Sequence, residues 1–360
     1  MRTSHFSLTG LILVILLSSG ASRAAEWPAV TEGDFAIGEF HFRSGQTLAN
    51  LHIHYRTLGS PRADEKGVVR NAVLILHGTT GSGAGFLNKN FAAELFNAGQ
   101  LLDAGRYFII LPDDVGHGQS SRPSESLHGK FPNYGYRDMV EAEYRLVTDG
   151  LHVNHLRLVM GTSMGGMHTW LWGETYPDFM DALMPLASLP EQISGRNRVW
   201  RRMICDSIRN DPQWNGGDYQ TQPPNLRIAA EVLWFMGSNP ALRYREAPTG
   251  READELLTKY CDNAMKTMDA NNVLYALDSS RDYDPGPKLE AITAPLLAVN
   301  SADDLINPPD LGILEKGIKR VKNGRAITIP EGPETQGHGT HTLAKVWKSD
   351  LAELLKASER

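Results

Sequence analysis

The chain of 360 residues has only two cysteines and no excess of positive charge. Its formal net charge of −6 argues against nucleic-acid binding, because phosphate contacts need a basic surface. One local basic run, residues 196–202, is better explained as a solvated helix face. Repeats and biased segments are also lacking. With 41% hydrophobic and 22% charged residues, the composition predicts a globular protein, long enough for one large α/β domain with an insertion.

The sequence also lacks an apolar run of the roughly 20 residues that cross a bilayer. The apolar residues 11–17 follow a positive start at Arg2 and precede small residues around Ala24, which is typical of an export signal. We therefore predict a signal peptide over residues 1–24, a periplasmic or secreted mature protein, and no stable membrane insertion after its removal. No cysteine lies near the predicted cut, which argues against a lipoprotein anchor.

The two cysteines leave one question open. In an oxidising compartment Cys205 and Cys261 can form a single disulfide. Two unpaired, buried thiols are nearly as good an explanation, because spacing alone does not show that the two residues meet.

Strand and helix patterns alternate along most of the mature chain. Residues 35–42 and 48–58 predict an antiparallel opening hairpin. Short apolar runs separated by helix-like segments then predict a mainly parallel sheet flanked by helices. These runs are residues 72–76, 107–111, 156–160, 182–186, 295–299 and 326–329, and the helix-like segments include residues 88–97, 136–148, 164–176, 309–321 and 340–355.

The alternation stops between residues 190 and 287, where only helical periodicity remains. We interpret residues 190–287 as a helical cap inserted into a core formed by residues 25–189 and 288–360. Because the insertion leaves the end of a strand, it lies close to where parallel sheets bind ligands. Aromatic side chains in the cap either line an apolar acyl site or pack the helices: Trp200, Trp214, Trp234 and Phe235.

The most informative motif is G-T-S-M-G at residues 161–165, which follows an apolar strand and opens a helix. In such a turn the glycines let the backbone pass closely, and the serine hydroxyl stands clear of the sheet. The motif predicts Ser163 as a nucleophile. The Met164 N–H, at the start of the helix, is a predicted donor to an oxyanion.

A serine nucleophile needs a base and an acid, which in this arrangement follow it in the order Asp or Glu, then His. Asp303 and Asp304 come directly after one apolar run, and His338 and His341 lie between the last strand and the last helix. Spacing does not decide within either pair. We predict Asp304 and His338, because His338 lies between glycines and His341 falls in the first helical turn; Asp303 either caps the next turn or faces water.

The glycine-rich loop at residues 77–83 predicts the second oxyanion donor, the Thr79 N–H. The loop has neither the lysine of a phosphate-binding P-loop nor a G-x-G-x-x-G helix start. We expect His77 to be structural and the segment at residues 113–121 to form a turn. No second cluster has the spacing of metal ligands, so we predict no metal and no cofactor.

Taken together, these segments resemble the α/β-hydrolase superfamily and, within it, the homoserine O-acetyltransferase-like family. The resemblance rests on residues 76–81, 137–140, 161–167, 176–178, 211–219, 304–308 and 337–338, which span most of the mature chain. It implies an α/β-hydrolase fold with a helical cap and an acyl-enzyme at Ser163. It also places the family's acid on Asp304 and its histidine on His338, and implies a homodimer formed through the cap.

Three functions remain open at this point. The first is an exported serine hydrolase acting on an ester or related acyl bond of a small molecule, since water is the acceptor available outside the cytosol. The second is an O-acyltransferase that uses the same acyl-enzyme but excludes water. The third is a protein that binds a ligand in a non-catalytic site, because a fold does not by itself imply a function.

Overall fold

The computed structural model describes residues 26–359, so the predicted signal peptide of residues 1–24 lies outside the described residues. The core of the fold is one sheet of eight strands in the spatial order 1-2-4-3-5-6-7-8. The strands are β1 Thr31–His41, β2 Thr47–Leu58, β3 Ala72–Leu76, β4 Phe108–Pro112, β5 Leu158–Thr162, β6 Leu183–Leu186, β7 Leu296–Ser301 and β8 Gly324–Ile329.

Strand direction divides the sheet into two parts. The predicted opening hairpin forms, with β1 antiparallel to β2 and β2 antiparallel to β4. From β4 to β8 every pairing is parallel. Strands β3, β4, β5, β6 and β7 are buried along their whole length, as expected for a sheet covered on both faces.

Ten α-helices accompany the described part of the sheet. They are α1 Ala92–Leu95, α2 Tyr136–Arg145, α3 Met164–Thr175, α4 Gly195–Arg209, α5 Leu226–Gly237, α6 Pro240–Glu246, α7 Gly250–Thr267, α8 Ala270–Asp278, α9 Ile313–Ile318 and α10 Ala344–Ala357. Among the described residues, none of these helices is both long and apolar enough to cross a membrane.

Apolar side chains form a separate layer on each face of the sheet. Leu74 and Leu76 of β3 pack in one cluster with α2 and α3, whereas Val73 and Ile75 pack in the other with α1 and α10. The alternation follows from the two-residue repeat of a strand. The architecture is that of an α/β-hydrolase, as the sequence predicts.

Five helices, α4 to α8, lie between β6 and β7, and no strand occurs among the described residues of this segment. They have a small core of their own, in which Trp200 and Ile204 of α4 pack with Leu226 of α5 and Leu274 of α8. We refer to these helices as the cap.

The predicted helix over residues 88–97 is wrong in extent, since only Ala92–Leu95 is α-helical. The Asn88 side chain accepts the backbone N–H of Asn90 at 2.8 Å and donates to the Gly85 carbonyl. Such bonds between a short amide side chain and the nearby backbone compete with a helix.

Cys205 and Cys261 are both buried free cysteines in the structure. The Cys205 thiol lies near the Leu274 carbonyl inside the cap core. Burial raises the pKa of Cys205 to about 11, so this thiol stays protonated at neutral pH. Of the two alternatives that the sequence left open, the structure shows the unpaired one.

Candidate active site

Ser163 occupies a sharp turn between β5 and α3, with a strained backbone at φ 57° and ψ −109°. A non-glycine residue rarely adopts a positive φ, and such strain persists only where packing enforces it. Packing here is tight, because a Cβ at Gly165 would overlap the Leu76 carbonyl oxygen and one at Gly161 would overlap Gly165. The turn has the backbone geometry expected of a nucleophile elbow.

The structure brings Ser163, His338 and Asp304 into one chain of hydrogen bonds. His338 Nε2 lies 2.8 Å from Ser163 Oγ, so the ring can accept the hydroxyl proton. On its other side, His338 Nδ1 lies 2.9 Å from Asp304 Oδ2 and donates to that carboxylate. The arrangement has the geometry of a serine–histidine–aspartate triad.

Asp304 is fully buried, and its pKa reflects a balance of opposing effects. Burial would raise the pKa, but the facing His338 and the N–H groups of Asn307 and Ile306 together hold it below the ordinary value. The two backbone N–H groups donate to Asp304 Oδ1 at 3.1 and 2.8 Å. The carboxylate is therefore charged at neutral pH, and it fixes the proton-bearing nitrogen of the ring.

Asp303 neither caps the next turn nor faces water, and it takes no part in the chain of hydrogen bonds between Ser163, His338 and Asp304. It is 7% exposed and accepts the Gly337 N–H at 2.8 Å, directly before His338. Its Oδ2 also accepts Asn239 Nδ2 at 2.6 Å, and Asn239 caps the start of α6. Asp303 thus joins the cap to the loop that carries His338, a role that sequence reasoning missed.

His341 packs its ring edge-on against His338, with the ring centroids 5.0 Å apart. Burial and the charge of His338 lower the pKa of His341 to about 3. The ring is therefore neutral at ordinary pH, and its Nδ1 is a buried atom without a hydrogen-bond partner in the described chain. His341 therefore lies beside His338 but forms no hydrogen bond with Ser163 in the described chain.

The two predicted oxyanion donors, the N–H groups of Met164 and Thr79, belong to segments next to Ser163. Met164 begins α3, and the Thr79 loop lines the cavity into which Ser163 opens. Within residues 26–359, neither of these two N–H groups donates a hydrogen bond. His77 shapes the loop: its Nδ1 donates to the Gly78 carbonyl at 2.9 Å, and its Nε2 accepts the Asp114 N–H at 3.1 Å. These contacts fit the structural role expected of His77.

A cavity of about 350 Å³ connects these groups to the cap. Leu233 and Met236 of α5 line it, whereas none of the four cap aromatics that the sequence offered for this purpose does. Trp200 packs in the cap core, and Phe235 is 63% exposed. Residues 233, 236 and 237 share one face of α5, so residues 234 and 235 point elsewhere.

A second group of ionisable residues is enclosed below the elbow, and sequence reasoning did not find it. Asp114, Glu143 and His168 are buried, with potential ligand atoms within 4.8 Å of one another. His168 Nδ1 donates to Glu143 at 2.7 Å, and Trp172 Nε1 donates to the same carboxylate at 2.5 Å. These bonds satisfy Glu143 without a cation, and the absence of a metal stays a prediction.

Burial and the neighbouring Glu143 carboxylate raise the pKa of Asp114 to about 8. Burial also raises the pKa of Glu143 to about 7. The pair therefore retains a proton near neutrality. No local pattern in the sequence connects these residues, because Glu143 and His168 lie on different helices that only the tertiary fold brings together.

Comparison with known proteins supports the fold and the type of chemistry. A family model described as "alpha/beta hydrolase fold" matches residues 71–322. The chain is 31% identical over 281 residues to a "probable acyltransferase" of Methanothermobacter thermautotrophicus, covering 77% of this chain and 84% of that protein. It is 27% identical over 331 residues to a homoserine O-acetyltransferase of Haemophilus influenzae, covering 82% and 89%.

Among solved structures, an acetylester hydrolase from Corynebacterium glutamicum superposes with a TM-score of 0.78 at 20% identity, covering 91% of this chain and 96% of that one. The similar proteins thus include both acyl-transferring and ester-hydrolysing enzymes. The chain belongs to the α/β-hydrolase superfamily and, within it, to the homoserine O-acetyltransferase-like family of enzymes that transfer or hydrolyse acyl groups.

Proposed function

We propose that this protein is an exported serine hydrolase that cleaves an ester or related acyl bond of a small molecule through an acyl-enzyme at Ser163. One observation carries the proposal: Ser163 Oγ, His338 and Asp304 form an unbroken chain of hydrogen bonds. Ser163 and His338 both line the same cavity. A hydroxyl at the floor of a cavity, paired with a base that is itself oriented by a carboxylate, is equipped for acyl transfer.

Acylation begins when Ser163 Oγ attacks the carbonyl carbon and its proton passes to His338 Nε2. The carbonyl oxygen becomes an oxyanion, which the N–H groups of Met164 and Thr79 stabilise. Collapse of this intermediate breaks the bond to the leaving alcohol, which takes the proton from His338. Throughout these steps the Asp304 carboxylate stabilises the charged imidazolium without itself becoming protonated.

Deacylation repeats the sequence with water. His338 Nε2 takes a proton from the water as its oxygen attacks the acyl carbon, and the same two N–H groups face the second oxyanion. The proton then returns to Ser163 Oγ as the carboxylic acid leaves. The net reaction consumes one water and needs neither a metal nor an organic cofactor.

The first test is turnover of short-chain nitrophenyl acetate or butyrate by the wild type and by Ser163→Ala, with any burst recorded. Ser82→Ala is the matched control, because Ser82 lines the same cavity without a histidine partner. We expect turnover to be lost in Ser163→Ala and kept in Ser82→Ala. Equal rates in the wild type and Ser163→Ala would contradict the proposal and favour a ligand-binding protein.

An O-acyltransferase is the second candidate, favoured by relatives that bear the names acyltransferase and homoserine O-acetyltransferase. It would use the same acyl-enzyme with an alcohol in place of water. Acetyl-CoA, however, is a cytosolic donor that an exported enzyme does not meet. Product analysis with competing alcohols separates the two functions: free acid as the only product supports hydrolysis, and an acylated alcohol as the main product supports transfer.

The export signal over residues 1–24 leads us to propose a periplasmic or secreted location. Cell fractionation followed by sequencing of the protein's amino terminus tests this, and a new terminus near Ala25 outside the cytoplasm is the expected result. A protein retained in the cytoplasm with Met1 in place would contradict it.

We also propose a homodimer formed through the cap. Apolar side chains on α4 and α5 remain exposed, with Val199 at 56%, Met203 at 50% and Phe235 at 63%. Exposed apolar patches of this kind commonly mark interfaces. Sedimentation of the wild type and of Met203→Glu tests the proposal, since the charge should dissociate a dimer, whereas a wild-type monomer would contradict it.

A further inference from the structure

The cavity above Ser163 carries charge of one sign only. Its walls are largely apolar, with Leu233, Met236 and Leu277 contributed by the cap. Histidines and hydroxyls also line the cavity, but no aspartate or glutamate of residues 26–359 does. Among the described residues, Arg201 of α4 is the single side chain with a permanent charge on this surface. Arg201 therefore forms part of the wall around the space that a substrate of Ser163 would occupy.

Arg201 is buried, at 3% exposure, and its recorded partners are neutral. Its Nε donates to Asn197 Oδ1 at 3.1 Å, and one terminal nitrogen lies 3.4 Å from the Tyr136 hydroxyl. Within residues 26–359, no carboxylate oxygen lies within ion-pair distance of this guanidinium. Since arginine has five N–H donors and is always charged, these two bonds leave most of its donors without a partner among the described residues.

Of the other two buried arginines in the described chain, Arg56 has carboxylate partners, and Arg157 lies at the C-terminal end of a helix. Arg56 pairs with Asp113 at 2.9 Å and with Glu32 at 2.8 Å. Arg157 donates to the Leu355 carbonyl at 2.6 Å, at the negative end of the α10 dipole. A buried charge without a compensating partner is costly, so its retention calls for an anion supplied from elsewhere.

We propose that Arg201 is a specificity residue that binds a carboxylate carried by the substrate, so that this enzyme prefers esters with an anionic group. The inference rests on the proposed acyl-enzyme at Ser163. Arginine and carboxylate form two parallel hydrogen bonds when the pair is shielded from water. The apolar side chains that the cap contributes to the cavity suit a short methylene chain between the carboxylate and the ester. The carboxylate can belong either to the acyl half or to the alcohol half.

Two pairs of substrates distinguish these sources. Monomethyl glutarate against dimethyl glutarate places the charge on the acyl half, and 3-acetoxypropionate against its methyl ester places it on the alcohol half. Acid release is measured at constant pH with purified protein. We expect the wild type to prefer the anionic member of one pair by about 10- to 100-fold in kcat/KM, mainly through a lower KM.

Arg201→Met should abolish this preference while hydrolysis of the neutral ester stays within about threefold of the wild type. Arg201→Lys should retain part of the preference, which separates the charge from the packing of the side chain. Arg202→Met is the matched control, because this neighbouring arginine is exposed and pairs with Asp206. Its substrate preference should equal that of the wild type.

Two results would overturn the inference: a wild type without preference for either anionic ester, or a preference that persists in Arg201→Met. The wild-type comparison stands even if Arg201→Met fails to fold. Failure of the proposed function gives a different result. A burst with neutral nitrophenyl acetate that survives in Ser163→Ala would contradict an acyl-enzyme at Ser163, independently of any result with the Arg201 variants.

Discussion

Two groups of carboxylates and histidines lie next to the turn of Ser163, and their protonation differs. Asp304 receives hydrogen bonds from backbone N–H groups and faces His338, and its pKa is lowered despite burial. Asp114 is equally buried, but its carboxylate oxygens have no hydrogen-bond partner among residues 26–359, and Glu143 lies nearby. Its pKa is raised to about 8. The partners of a buried carboxyl, more than its burial, decide whether it is charged.

The difference also separates two kinds of role. A charged Asp304 can stabilise a proton that arrives on His338 during the reaction. The Asp114–Glu143 pair already retains a proton at rest, and it is closed off between β4, α2 and α3. We therefore expect changes in the first group to act on activity, and changes in the second to act on stability.

The largest effect should come from Asp304→Asn, which removes the charge and favours the wrong tautomer of His338. We expect kcat to fall by about 10⁴-fold with little change in Tm. Turnover of nitrophenyl acetate and a thermal melt measure the two quantities. Loss of less than tenfold would show that Asp304 is not the acid of the triad.

Asp303→Asn provides the nearest comparison, because the two carboxylates are adjacent. The substitution weakens the contacts to Gly337 and Asn239 and loosens the loop of His338, while the Asp304–His338 bond remains. We expect activity to fall by about 10- to 100-fold, as for a misplaced catalytic group. Asn239→Ala, which removes the same contact from the cap side, should produce a similar loss, and full activity in both variants would contradict the positioning role.

The Asp114–Glu143 pair predicts a pH dependence of stability. The pKa of Asp114 is higher in the folded chain than its ordinary value of 3.8, so the folded state binds the proton more tightly. The stabilisation that this proton provides is complete below the pKa of Asp114 in the unfolded chain. It is lost as the pH rises through the folded pKa of about 8. Tm should fall across this window.

Glu143→Gln should reduce that fall by at least about 2 °C, because Asp114 then no longer faces a carboxylate. Calorimetric melts at several pH values measure the slope, and Glu141→Gln on the same helix is the control. Parallel curves for the wild type and Glu143→Gln would exclude a proton shared by the pair.

The smallest effect should come from His341→Asn. His341 is neutral at ordinary pH because its pKa is lowered to about 3, so it supplies no charge to the site. We expect activity to change less than about fivefold and the pH profile of kcat/KM to keep its shape. A shifted profile would indicate that His341 takes part in the proton transfer.

Much of the fold was predictable because the signals are local. Apolar runs between helical segments indicated the parallel strands, and the glycines around Ser163 indicated the turn. The choice between Asp303 and Asp304 was not a local matter, because both residues follow β7 and are buried. Their long-range contacts distinguish them: Asp304 contacts His338, whereas Asp303 contacts Gly337 and Asn239. All of these partners are more than thirty residues away along the chain.

The cap was the least predictable part. Residues 196–202 were interpreted as a solvated basic face, which is wrong for Arg201 although Arg196 and Arg202 are exposed. The aromatic residues of α5 were offered as cavity lining, whereas Leu233 and Met236 occupy that face. In both cases the composition of the helix was clear from the sequence. The rotation of the helix about its axis was not, because packing among the cap helices determines it.

The strained turn at Ser163 also determines when activity appears during folding. Gly161 and Gly165 hold it against Leu76, so β3, β5 and α3 must all be packed before the serine takes up its backbone conformation. These segments are about ninety residues apart in the chain, and contacts of that range form late. Recovery of the proposed esterase activity after dilution from denaturant therefore reports assembly of the sheet, whereas recovery of helical signal does not.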